Sequence, residues 1–135
     1  MKAYLLIIFL IFQISFGQER VITGKVLGDD LLPLPGVAIT YNFKGTMTDI
    51  NGYFELKIPN NLEQIKLAFL GCYDEYVSIS TDCNYYGIIL QTSSTYCFVT
   101  PQKANRLEKR HRKKVSKLYK EAYDKKLFGE KKSCR

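Results

Sequence analysis

Between residues 21 and 91 apolar and polar side chains alternate with a period of two, and turn signals break the alternation at regular intervals. A chain patterned this way makes short strands with one apolar face each, and those faces have to be buried against a second sheet. The strands are read as 21–28, 37–43, 46–48, 53–58, 64–70, 73–80 and 85–91. Pro33-Leu34-Pro35-Gly36 follows Asp29-Asp30 as the first turn, Lys44-Gly45 is read as the second, and Pro59-Asn60-Asn61 closes the fourth strand. Asp49-Ile50-Asn51-Gly52 is a hairpin turn, because Asn-Gly tolerates the positive φ such turns demand. In the second strand Val37, Ile39, Tyr41 and Phe43 are expected to share the apolar face. No helical stripe occurs before residue 100, so the body is all-β and can bury only a small core.

Charge divides the chain further. Residues 18–100 hold five bases against nine acids, whereas residues 101–135 hold fourteen bases against four. The overall +7 therefore belongs to a basic tail on a mildly acidic body. The first seventeen residues have a different character. Lys2 is followed by an almost continuously apolar run from Ala3 to Phe16, then Ser15-Phe16-Gly17 and the polar Gln18-Glu19-Arg20. This is the layout of a secretory signal peptide cleaved after Gly17. The apolar run is shorter than the roughly 20 residues that cross a bilayer as a helix. The expected organisation is thus 1–17 signal peptide, 18–95 body and 96–135 tail. The mature chain would carry no transmembrane span and would be exported to the periplasm, the outer-membrane periphery or the extracellular space.

Disulfides persist in that setting. The cysteines are Cys72, Cys83, Cys97 and Cys134. A strand over 73–80 would hold Cys72 and Cys83 too far apart to bridge, since a disulfide needs Cα atoms within about 7 Å. Cys72 with Cys97 is the candidate pair, and free buried thiols are the alternative.

The body offers no chemistry of its own. His111 is the only histidine and lies in the tail, so no hydrolytic zinc set can form in the body. Asp49-x-Asn51-Gly52 resembles the start of a calcium loop, but Ile58 stands where the bidentate Glu belongs. No Ser or Cys has a histidine partner in the body and no glycine-rich phosphate loop is present. The expectation is no enzyme, no catalytic or metal residue and no cofactor.

Five motifs in order carry a family resemblance. They are Gly24-Lys25-Val26, Pro33-Leu34-Pro35-Gly36-Val37, Thr48-Asp49-Ile50-Asn51-Gly52-Tyr53-Phe54, Leu67-Ala68-Phe69-Leu70-Gly71 and Ile88-Ile89-Leu90. Over residues 21–91 the chain resembles the carboxypeptidase regulatory-like domain family, with Thr48, Asp49, Gly52 and Phe54 as its turn motif. Cys72 departs from the family, which most often has Tyr there. The resemblance implies a seven-strand transthyretin-like, immunoglobulin-like β-sandwich used as a non-catalytic folding or interaction module. Such domains lie beside metallocarboxypeptidase domains and at the N-termini of TonB-dependent receptors.

In the tail, Thr100-Pro101 is a helix start and Gly129 a helix stop. Between them Ala104, Leu107, His111, Val115, Leu118 and Ala122 recur at spacings of three and four, an apolar stripe widened by Tyr119, Tyr123 and Leu127. Lys103, Arg106, Lys109, Arg110, Arg112, Lys113, Lys114, Lys117 and Lys120 occupy the other faces. Such a helix is a solvated extension, a basic amphipathic helix on an anionic lipid or lipopolysaccharide surface, or a docking element for an envelope protein. Nucleic acid is disfavoured by the expected export and by the absence of a base-reading motif. The resulting expectation is an exported binding or scaffolding module whose tail residues from Arg106 to Lys120 engage an anionic surface or partner. The alternative is an accessory domain docking to a separate carboxypeptidase or TonB-dependent receptor.

Overall fold

A computed structural model describes residues 17–93 and 99–134. These residues form seven strands, β1 (Glu19–Leu27), β2 (Ala38–Tyr41), β3 (Lys44–Met47), β4 (Tyr53–Pro59), β5 (Gln64–Ala68), β6 (Glu75–Ser78) and β7 (Tyr85–Ile89), and one helix, α1 (Pro101–Asp124). The strands make a three-stranded sheet, β4-β1-β7, and a four-stranded sheet, β3-β2-β5-β6. Of the strand pairs described, β1 with β7 is parallel and the rest are antiparallel. The expected leader at 1–17 falls almost wholly outside the described residues.

The alternation does what its period demands. Ile22, Val26, Phe54, Leu56, Ile58, Tyr86 and Ile88 from the first sheet meet Ile39, Ile65, Leu67 and Val77 from the second in one buried core. All seven expected strands form, several of them shorter than the alternation suggested. One turn is displaced. Phe43 does not join Ile39 on the core face, and Lys44-Gly45 is not the turn but the start of β3. The register Tyr41↔Lys44 leaves a two-residue loop, Asn42-Phe43, with φ of 40° and 64°. Two-residue loops that match the twist of their flanking strands are of type I′ or II′, and the I′ form seen here puts both residues at positive φ. Asn accepts this readily and Phe does so at a cost, standing fully exposed at the hairpin tip.

The Thr48–Phe54 motif ties the two sheets together. Asp49 Oδ1 accepts the Asn51 and Tyr53 amides, both at 2.9 Å. Gly52 takes φ 75°, and a Cβ there would stand 2.4 Å from the Val26 carbonyl. Buried Thr48 accepts the Val37 amide at 2.9 Å and donates to the Leu34 carbonyl at 2.7 Å. Phe54 enters the core against Gly24, whose missing Cβ leaves room for its ring.

The first sheet is also covered on its outer side. Leu27, Tyr85 and Ile89 point away from the inter-sheet core and pack with Leu118, Ala122 and Phe128 in a second buried cluster. The Phe128 ring lies over Gly87, where a Cβ would come within 2.6 Å of it. The same segment satisfies the outer edge of β7. The Gly87 amide donates to Ser133 Oγ at 2.8 Å, the Ile89 amide donates to the Tyr119 hydroxyl at 2.9 Å, and the Cys134 amide donates to the Tyr85 carbonyl at 3.1 Å. The Tyr85 hydroxyl donates to the Phe128 carbonyl. An edge strand left open is a template for association; here the C-terminal residues occupy it. Because Phe128 is itself buried and cannot yield, Gly87→Ala is expected to lower stability by about 1–3 kcal/mol through overpacking. Urea unfolding checks this, and Phe128→Ala added to Gly87→Ala should then cost less than the two separate losses combined.

Candidate functional site

The expected site is the basic face of α1, and its geometry follows from how the helix is held. Thr100 sits at the N-cap position with extended backbone (φ −67°, ψ 152°) and Pro101 opens the first turn, yet the Thr100 side chain makes no capping bond. At the other end the helix stops at Asp124 and not at Gly129. Lys126 takes φ 53°, the Leu127 amide reaches back to the Ala122 carbonyl at 2.9 Å, and the Lys126 amide reaches Tyr123 at 3.0 Å. These are the two bonds of a Schellman ending. Lys126 fills its left-handed position because the chain has to turn there for Leu127 and Phe128 to reach the sheet. Lys126→Gly should therefore raise stability by about 1 kcal/mol, readable as a higher midpoint in thermal unfolding.

The apolar stripe faces the body in a graded way. Leu118 and Ala122 are buried, whereas Ala104, Leu107, His111 and Val115 are half-buried. A cleft of about 460 Å³, lined by Tyr73, Glu75, Gln91, Glu108, His111 and Val115 among others, separates this first half from β6. The Gln91 amide reaches across it to the His111 carbonyl at 3.2 Å. Within reach of that cleft Asp74 is paired with Lys66 at 2.7 Å, and this contact raises the Lys66 pKa.

On the opposite faces Arg106, Lys109, Arg110, Arg112, Lys113, Lys114, Lys117 and Lys120 are all exposed. Arg112 is held by Glu108 at 3.0 Å. Lys103, Arg106, Arg110, Lys113, Lys117 and Lys120, spaced by three and four, form one row. It is about 26 Å long at a rise of about 1.5 Å per residue. Glu121 lies near the end of this row with its carboxyl held below its ordinary pKa by the Lys125 hydrogen bond. The arrangement can attract extended negative charge, and the docking of the stripe fixes the direction in which the row faces.

A second concavity, a groove of about 710 Å³, lies between Phe128–Lys131 and the outer face of β4 and β1. Its aromatic rings already take the chain's own cations: Lys25 lies 5.0 Å from the Tyr53 ring and Lys131 6.0 Å from the Tyr85 ring. Asp49 at its rim is committed to the hairpin turn. Thr48, Asp49, Gly52 and Phe54 thus serve the fold, and of these Asp49 and Phe54 also border this groove. Among the described residues no three His, Cys, Asp or Glu side chains gather where they could hold a metal, and no helix is long and apolar enough to cross a membrane.

Cys83 and Cys134 form a disulfide with Cα atoms 6.0 Å apart. Cys72 has no disulfide partner among the described residues, and its expected partner Cys97 lies outside them. Burial raises the Cys72 thiol pKa, which keeps it protonated and weakly nucleophilic at neutral pH. The bridge fastens the segment that covers β7 to the loop ahead of that strand. Closing a loop of 51 residues restricts the unfolded chain by about 4 kcal/mol in the chain-entropy treatment. Cys83→Ser with Cys134→Ser should lose up to that amount in urea unfolding and speed amide exchange at Gly87.

No family model matches the chain, and no curated protein matches it either.

Proposed function

We propose that this chain is a non-catalytic binding or scaffolding module of the bacterial envelope, exported by its N-terminal leader, whose α1 basic face engages an anionic surface. The body is read as a transthyretin-like sandwich of the carboxypeptidase regulatory-like kind. That reading is supported by the five ordered motifs and is compatible with the two sheets of seven strands. The observation that carries the functional reading is the docking of the helix: its apolar stripe turns toward the body while eight basic side chains stay exposed on one rigid element. With Leu118 and Ala122 buried, the helix meets its target through charge and leaves that part of its stripe in place.

A truncation before the helix is a poor test, because residues 118–134 cover β7 and carry half of the disulfide. Charge removal is cleaner. Residues 18–135 contain every strand described, the helix and the disulfide. This chain should co-sediment with vesicles containing phosphatidylglycerol, and should release when salt is raised from about 50 to about 300 mM, which shortens the Debye length severalfold. Each basic residue near an anionic surface contributes about 1 kcal/mol. Arg110→Gln, Lys113→Gln and Lys117→Gln together should thus weaken binding about a hundredfold. Binding that ignores both salt and these substitutions would refute the proposal.

A further inference from the structure

We propose that the target is a lipid bilayer, and that the end of the sandwich beside the N-terminal half of α1 inserts three apolar loop tips into it. The proposal rests on the reading of α1 as an anionic-surface element and goes beyond it by naming the surface and the inserting residues. Leu32, Ile50 and Leu70 are 62%, 82% and 96% exposed. Each stands in a different loop: 28–37 between β1 and β2, 48–52 between β3 and β4, and 69–74 between β5 and β6. Single exposed leucines are ordinary. Three on adjoining loops at one end, on backbones hydrogen-bonded to one another and to the strand ends, are not.

The loops are laced to one another and to the strand ends. The Gly36 amide donates to the Thr48 carbonyl at 3.0 Å and the Val26 amide to the Gly52 carbonyl at 2.8 Å. The Ser93 amide donates to the Gly71 carbonyl at 2.8 Å, and the Phe69 ring approaches Gly36. Leu31 holds φ 63°, a strained conformation for leucine, and packs against the helix-covered cluster on the outer face of the first sheet, while its neighbour Leu32 stays exposed.

The helix brings positive charge to the same end. It runs antiparallel to β7, since His111 meets Gln91, Tyr119 meets Ile89 and Phe128 lies over Gly87. Its first turns therefore lie where β7 ends and these loops begin. Lys103, Arg106, Lys109 and Arg110 stand in the ten residues ahead of His111, about 15 Å of helix. The acids of this end are largely engaged within the protein. Asp29 accepts the Thr92 hydroxyl, Asp30 the Leu32 amide and Asp49 two turn amides, while Asp74 pairs with Lys66. Glu75 and Glu108 line the cleft under the helix. Apolar tips beside exposed cations match a surface with anionic headgroups over hydrocarbon, whereas a soluble polyanion would have no use for the tips.

Two measurements test this. Residues 18–135 are titrated with vesicles of equal parts phosphatidylglycerol and phosphatidylcholine, and separately with heparin as a soluble polyanion. Leu32→Ser, Ile50→Ser and Leu70→Ser together should weaken vesicle binding at least about tenfold and leave heparin binding unchanged. Phe43→Ser, which removes an exposed ring at the opposite end of the sandwich, should change neither. The chain has no tryptophan, so Ile50→Trp supplies a sole indole reporter whose emission should shift to the blue on these vesicles. Vesicle binding by the triple variant equal to the parent, equal losses with Phe43→Ser, or an unshifted indole emission from the Ile50→Trp variant would each overturn the insertion while leaving the charge-based reading of α1 intact. Failure of the parent to bind either vesicles or heparin would overturn both.

Discussion

β7 is an edge strand that is buried on both faces, and the arrangement of the molecule depends on how that is achieved. Its inner side chains, Tyr86 and Ile88, complete the inter-sheet core; its outer ones, Tyr85 and Ile89, require a cover the sheets cannot supply. Helix α1 and the residues after it are that cover. Two unmet demands of the strand, apolar surface and unpaired edge amides, are answered by the same C-terminal segment through Phe128, Tyr119 and Ser133. The Cys83–Cys134 bridge then lowers the entropy lost in holding that segment down.

From this docking follows the direction of the charge. A basic amphipathic helix alone would lie in a membrane interface with its apolar face down. Here the C-terminal half of that face is committed to the sheet, so the cations project from a folded platform and that half of the stripe is not available to a target. Hydrophobic contact with a target is proposed to come from the exposed tips Leu32, Ile50 and Leu70.

Local chemistry was legible and distant pairing was not. The Asp49–Gly52 turn could be read directly because Asn-Gly and a preceding Asp specify their own backbone. The Asn42-Phe43 turn was missed because Phe is a poor residue for positive φ; the register of β2 with β3 overrode that preference. The helix end shifted from Gly129 to Lys126 for a similar reason, since the packing of Leu127 and Phe128 outweighed the cost of a left-handed lysine. The uninterrupted apolar run Tyr85-Tyr86-Gly87-Ile88-Ile89-Leu90 held a signal that alternation alone does not use: a strand apolar at every position is covered on both sides.

The sequence by itself determined the number of strands, the sites of most turns and the separation of an apolar stripe from a row of bases, because each depends on residues within a turn or two of one another. Tertiary structure alone decided that the stripe lies against β7, that Cys83 pairs with Cys134, and that three exposed aliphatic side chains share one end with the first turns of the helix. Those outcomes depend on which surfaces remain uncovered once the sheets have formed, and no local pattern encodes that.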